Sequence, residues 1–547
     1  MVILLVAFGS VIAMGLPIGT ALYGLALGVS AMGLINHLID IPSWAPQMAA
    51  MVGIGVGIDY ALFLVTRHRE YLSHGMTVEE SAGRAVATSG QAVIFAGGTV
   101  VIAILGLAVA GIPFMTAAGV ATSIVVLLMV LAAITLLPAF LGLSGHKING
   151  LRSSRRRAIN PGVSAGWEAW GAHVSRHAWK YVIGVTAALL ALSAPVLALQ
   201  LGFPDEGNLG EERTQRRAFD LTTEAFGVGF SGPLLIAVDT AGDPTVVSEL
   251  AAAVEADANI VSVQVAPPVE GSDVATLLAF PSTSPQDAET YETVKRLRAD
   301  VFVNVLDDDQ RAHIGGQTAS FGDVGNRITE RLPYFIAAVV FLSFFLLTGV
   351  FRSPVVAFKA AVLNLLSIGA AYGVLVMIFQ WGWGLNLVGL SETVPIVSFI
   401  PMFMFAILFG LSMDYEVFLL SRVREEYVRT HDNDQSVIHG IASTARVITA
   451  AALIMISVFG AFALGDDPAL KMVGIGLATA IFVDATIVRI ILVPATMKLM
   501  GDLNWWIPAW LDRLIPQIDI EGDAGLPPSN HKIADGAQPS APDRTLV

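Results

Sequence analysis

Ten apolar runs constrain this chain more than any other feature. They lie near 11–35, 46–66, 90–110, 114–141 and 180–201, then near 332–350, 355–380, 395–421, 446–465 and 470–498. Each is close to the roughly 20 residues that a helix needs to cross a bilayer. In lipid no water completes the backbone hydrogen bonds, so each run reads as a helix that bonds its own backbone. With 54% hydrophobic and only 14% charged residues, the composition is that of a polytopic α-helical membrane protein and not of a soluble enzyme. The chain has no cysteine, which excludes disulfides and thiolate metal sites. Residues 1–8 are apolar but too short to span and lack the basic start and cleavage site of a secretory signal, so they read as the stump of an eleventh span.

A hydrophilic insertion separates the two sets of five runs. Residues 204–331 hold 22 acidic against 9 basic side chains, a net of −13, while the whole chain carries −14. The excess sits in one soluble acidic domain, and the membrane body is nearly neutral. Strands are expected at 233–239, 260–266, 275–281 and 311–317, helices at 243–259 and 285–302, and a leading helix around 213–226. Two β-α-β units of this kind predict a ferredoxin-like α+β domain. Gly227-Val228-Gly229-Phe230 lacks the Lys and the Ser or Thr of a phosphate loop and reads as a turn. There is no nucleophile elbow, and His37, His68, His74 and His431 are scattered without ligand spacing, so neither an enzyme nor a metal or other cofactor is expected.

Basic residues set the orientation. By parity Arg67, Arg69, Arg84, Lys147, Arg152, Arg155, Arg156, Arg157, Arg176, Arg352, Arg422, Arg424, Arg429 and Arg446 fall on one side, and Lys471 is the exception outside the insertion. The positive-inside rule makes that side cytoplasmic, with the acidic domain outside and the C-terminus inside. The expected division is a first-half bundle over 1–145, a basic interfacial linker over 146–179, a span at 180–201, the outer domain over 202–331, and a second-half bundle of five spans over 332–498. An interfacial segment with Trp505, Trp506 and Trp510 follows at 499–520. Residues 521–547, rich in Pro, Gly, Ser and Asp, are expected to be a disordered tail.

The chain repeats itself. Gly57-Ile58-Asp59-Tyr60 returns 355 residues later around Asp414-Tyr415, and an Arg-x-Arg-Glu tetrapeptide follows each copy, at Arg67 to Glu70 and Arg422 to Glu425. Phe8-Gly9-Ser10 matches Phe351-Arg352-Ser353, Pro113 matches Pro468, and Leu137-Pro138-Ala139 matches Val493-Pro494-Ala495. Two halves with parallel topology are expected, as among secondary transporters. By the template of the second half, the first would also open with a span and an outer domain, so the chain reads as truncated at its N-terminus.

Each aspartate stands eight residues before its arginine, roughly 12 Å above the inner boundary at helical rise, which is near mid-membrane. A carboxylate there is costly and can load and release protons. Neighbouring residues on one helix point about 100° apart, so crossed pairs are expected, Asp59 with Tyr415 and Asp414 with Tyr60. The plainer alternative is helix-packing hydrogen bonds without a proton role, although duplicated ionisable groups at one depth are a costly way to pack helices. Phe63 and Phe418, four residues beyond the aspartates, either shield the site from inner water or simply pack. Glu416, which replaces Ala61 of the first copy, is either a third titrating group or the partner of a nearby donor. Asp484 and Arg489 on the last span form either a structural ion pair or part of the relay.

These motifs, with Ala225-Phe226-Gly227-Val228-Gly229, Gly232-Pro233-Leu234 and the run Asp484-Ala485-Thr486 to Arg489 and Pro494, resemble the large mycobacterial membrane protein (MmpL) transporters. Those belong to the resistance-nodulation-division (RND) superfamily. The resemblance covers residues 1 to about 515. It implies twelve spans and two outer porter domains in a full-length member, the same crossed Asp-Tyr pairs, and proton-driven export of lipids or lipid-like molecules across the inner membrane of an actinobacterium. It also implies membrane lipids and a lipid-like substrate as partners, no nucleic acid, and either a homo-oligomer or accessory envelope proteins. An RND drug pump and a non-transporting sensor or scaffold stay open as alternatives.

Overall fold

The computed structural model describes residues 2–149, 165–240, 243–267, 272–390 and 392–515. The basic run Arg152 to Arg157 and the expected disordered tail lie outside the described residues, as does the side chain of Asp414. Among the described residues, ten helical segments are long and apolar enough to cross a membrane. The first half supplies α1 (Val11–Ile35), α2 (Ala45–Ser73), α3 (Val78–Leu105) and α4 (Pro113–Ser144). After α5 (Ala178–Ser193) come the helices of the inserted domain, α6 (Thr214–Phe226), α7 (Thr245–Glu255) and α8 (Ala288–Arg296). The second half is α9 (Gln317–Phe351), α10 (Pro354–Leu375), α11 (Ile400–Thr430), α12 (Asn433–Phe462) and α13 (Pro468–Phe482).

Several helices outrun the apolar stretches expected from the sequence. α2 and α11 continue through their Arg-x-Arg-Glu segments, where Arg67–Glu70 at 3.0 Å and Arg422–Glu425 at 2.7 Å brace the polar ends. Short turns follow, and Thr77 and Asp432 cap the next helices by accepting from the Glu80 and Gln435 backbone amides at 3.2 and 3.1 Å. The run expected from 395 becomes helical only at Ile400, because Ile396–Val397 are in strand. The linker opens on a 3-10 turn, Gly145–Asn149, and its next described stretch forms a helix, Ala165–Arg176, whose Trp170 indole donates to the Ile490 carbonyl at 3.3 Å.

The two halves repeat in structure as well as in sequence. Ser10 and Ser353 cap α1 and α10 in the same way, accepting from the amides of Ala13 and Val356. The second arginine of each tetrapeptide reaches back two helices, Arg69 donating at 2.8 Å to the carbonyl of Phe8, the last residue of a short helix Val2–Phe8, and Arg424 at 3.3 Å to that of Val350 near the end of α9. α2 and α11 are the central helices. In their most apolar windows 83% and 94% of residues are buried, against 61% or less in the other spans. Glycine makes that placement possible. A Cβ on Gly57 would lie 2.8 Å from Met129 Sδ, and one on Gly410 would lie 2.8 Å from the Val100 Cα; at Gly410, where the obstacle is backbone, only hydrogen lets α11 approach α3 so closely.

The inserted domain is an antiparallel sheet of β2 (Leu234–Asp239), β3 (Ile260–Val265), β4 (Val274–Pro281) and β5 (Arg311–Gly315), in the order β3-β4-β2-β5. Numbered within the domain this is 2-3-1-4, the order of a ferredoxin-like split β-α-β fold. Leu234, Ile236 and Val238 alternate inward and meet Val246, Leu250 and Val254 of α7 in a core of the domain's own. After β5, α9 runs unbroken from Gln317 to Phe351, so a single helix joins the sheet to the membrane body. A second joint is a parallel pair of two-residue strands, β1 (Leu201–Gly202) after α5 and β6 (Ile396–Val397) before α11. Ile396 donates to the Gln200 carbonyl at 3.1 Å and Ser398 to that of Gly202 at 2.9 Å.

Candidate functional site

Asp59 sits midway along α2 and is 1% exposed. Neither of its carboxylate oxygens has a hydrogen-bond partner among the described residues, which is a costly arrangement for so polar a group. The Tyr415 hydroxyl lies beside it, and the Arg489 guanidinium is within electrostatic reach. Tyr415 approaches without closing a hydrogen bond of ordinary length, and its hydroxyl donates to Met455 Sδ at 3.8 Å. Asp59 and Tyr415 thus face each other across the halves. The side chain of Asp414 lies outside the described residues, and the second crossed pair with it; Tyr60 is buried beside Gly97.

Phe63 and Phe418 meet edge to face with centroids 5.2 Å apart, and Phe63 also lies 6.2 Å from the Tyr415 ring. Together they form an aromatic layer on the Arg67 side of Asp59.

Asp484 and Arg489 do pair. Arg489 is 2% exposed and reaches Asp484 Oδ2 through Nε at 2.9 Å and Nη2 at 2.7 Å. Its Nη2 also donates to the Ser412 carbonyl and, at 3.1 Å, to Ser412 Oγ, and its guanidinium carbon lies 5.0 Å from the centre of the Tyr415 ring. The ion pair therefore also holds the tyrosine that faces Asp59. In an α-helix two residues five apart point about 140° from one another. Here Val483–Leu492 forms wider π turns, with bonds from i to i+5, which bring the two side chains together. Pro113 to Pro138 covers 25 steps and Pro468 to Pro494 covers 26. α4 is α-helical throughout, so the one extra residue of the second half is what the π turns absorb.

Two polar residues that sequence reasoning overlooked join this network from α10. Asn364 Oδ1 accepts from Ser412 Oγ at 2.8 Å. Lys359 is 7% exposed and its Nζ has no hydrogen-bond partner among the described residues; it lies within electrostatic reach of Glu416, itself 3% exposed with an unpartnered Oε1. Glu416 also feels Arg489 and Asp484. The signal was present, because Lys359 is the single charge in the run 355–380. A cavity of about 20 Å³ lies among Asn364, Ser412, Tyr415, Met455 and Asp484, room for one water molecule by size.

A family model described as the MMPL family matches residues 1–180 and 236–516. Membrane protein YdfJ of Bacillus subtilis is 38% identical over 529 residues, covering 95% of this chain and 71% of its own length. The mycolic acid-containing lipids exporter MmpL11 of Mycolicibacterium smegmatis is 35% identical over 534 residues, 95% of this chain and 56% of that one. The trehalose monomycolate exporter MmpL3 of Mycobacterium tuberculosis is 29% identical over 593 residues, 100% of this chain and 61% of that one. The chain thus spans between about half and three quarters of the length of these curated relatives. Both aspartate-bearing helices fall inside the matched segments, and on that breadth of agreement the chain belongs to the MMPL family of RND-type membrane transporters.

Proposed function

We propose that this protein exports lipids or lipid-like molecules across the bacterial inner membrane, driven by the proton gradient, with residues 202–331 outside the cell and the C-terminus inside. The observation that carries this reading is Asp59, a carboxylate sealed in the centre of the bundle with no described hydrogen-bond partner, facing Tyr415 across the two halves. A buried acid that must change charge to leave that state is suited to proton binding and release. The lipid class of the cargo is supported by relatives named as exporters of mycolic acid-containing lipids and of trehalose monomycolate.

In this mechanism protonation relieves the buried charge and changes the packing of α2 against α11. α11 begins three residues beyond β6, and β6 is bonded to β1 at the base of the outer domain. A shift of α11 is thereby passed to the domain through backbone hydrogen bonds, while α9 carries the same domain as a continuous lever. The test is Asp59→Asn in vesicles that hold the reconstituted protein and a fluorescent lipid. Loss of gradient-driven lipid movement with an unchanged melting temperature is expected; retained movement sinks the proposal.

A further inference from the structure

Lys359 and Glu416 are buried polar groups that the Asp59–Tyr415 pairing does not use. Tyr415 and Glu416 are successive residues of α11 and point about 100° apart. The first lies beside Asp59 of α2; the second is buried with an unpartnered Oε1, within electrostatic reach of the equally buried and unpartnered Lys359 Nζ of α10. Both ends of the pair lie nearer the arginine-rich side than Asp59 does. Lys359 is five residues into α10, roughly 8 Å from its start, and Glu416 is six residues, roughly 9 Å, before Arg422. The Arg424 bond to the Val350 carbonyl shows that the start of α10 and the end of α11 are on one side. The Phe63–Phe418 ring contact lies between Asp59 and that side on the α2–α11 seam, whereas Glu416 and Lys359 supply buried polar groups at a level nearer to it. In the repeat the positions of Lys359 and Glu416 are occupied by Leu16 and Ala61, so packing at these places does not require charge.

We infer that Lys359 and Glu416 form the inner proton exit of the membrane site, a unit separate from the duplicated Asp-Tyr pairs. The inference rests on the proton-driven reading above. A proton leaving the Asp59–Tyr415 layer is taken by the Glu416 carboxylate, and the Lys359 ammonium gives one to the water at the inner end of α10. The neutral acid and amine that result then close on each other, the proton crosses, and carboxylate and ammonium are restored. One proton enters and one leaves, and Arg489 and Asp484 are the other charged groups that Glu416 faces.

The test is proton flux into liposomes that hold the full chain and a trapped pH dye, after an acid step outside. Lys359→Met and Glu416→Gln are each expected to lower the flux by at least about tenfold, the scale of losing one positioned proton carrier. The paired Lys359→Leu and Glu416→Ala variant carries the first half's residues, so it is expected to keep its melting temperature and lose its flux. The charge-swapped pair, Lys359→Glu with Glu416→Lys, is expected to retain more flux than either single change. Full flux in the apolar pair together with none in Asp59→Asn places the exit elsewhere and overturns the inference alone. Full flux in Asp59→Asn as well, or none in the unaltered chain, overturns the proton-driven reading itself. Difference infrared spectra in detergent give a second readout independent of transport. A pH-dependent carboxylic-acid band is expected to disappear in Glu416→Gln, and a band that persists unchanged overturns the assignment.

Discussion

The bundle before the acidic domain and the bundle after it share a plan and differ in charge. α1 and α10 start from equivalent serine caps, α2 and α11 carry the Asp-Tyr pairs, and α4 and α13 start from equivalent prolines. Where the second half has Lys359, Asn364, Glu416 and Asp484, the first has Leu16, Ala21, Ala61 and Met129. The acid is duplicated and its surroundings are not. Around Asp59 the first half supplies close apolar packing, with Met129 and Ala21 against Gly57. The second half supplies a chain of polar contacts from Asp484 through Arg489 and Ser412 to Asn364. Repeated helices thus provide the scaffold, and on the proposed proton-driven reading the asymmetry would give protons a direction to travel.

The largest expected effect comes from making the charged half resemble the apolar one by a single step. Arg489→Leu leaves Asp484 buried without its partner and is expected to cost about 3–5 kcal/mol, read from unfolding in detergent. Converting both, Asp484→Met with Arg489→Ile, is expected to restore most of that stability, as the first half already shows for apolar occupants. A single variant as stable as the unaltered protein would break the comparison. Next in size is the approach of the two halves to each other. Gly410→Val drives a side chain toward the Val100 backbone and is expected to cost about 1–3 kcal/mol, whereas Gly98→Ala, which points into open space, is expected to be silent.

The smallest effect belongs to the domain inserted between the halves. Burial pushes the Asp205 carboxyl up to about 6, against the Gly207 amide that its side chain accepts from. A carboxyl raised in the folded state favours folding at low pH, and that contribution is lost as pH rises through its folded value. Asp205→Asn, which preserves the cap, is therefore expected to raise the melting temperature modestly at neutral pH, with the gain vanishing below the usual aspartate range. A pH-independent gain would show that burial of the charge is not its cause.

Much of this was readable from residues alone, for physical reasons. Length and apolarity announce a membrane helix, and duplication singled out Asp59 and Asp414 because each copy serves as a reference for the other. The strand and helix alternation of the inserted domain led to its observed sheet order. Lys359 was marked only by being the single charge of its run, and neither it nor the neutral Asn364 has a polar counterpart in the first half, where Leu16 and Ala21 stand, so duplication could not single them out. The π turns were visible only as a spacing of 26 against 25 between prolines, and that difference acquires meaning once the i to i+5 bonds are seen. β1 and β6 could not be found at all, since two residues are too few to show alternation and their partners are far apart in sequence.

That short pairing of Leu201–Gly202 with Ile396–Val397 has a further consequence. Coupling free energies are reciprocal. If proton binding at Asp59 biases the outer domain through α11 and this clasp, then a molecule gripping the domain must bias proton binding by the same factor. The cargo itself would tune the acidity of the membrane site, and the proton gradient would in turn tune how firmly the domain holds its cargo.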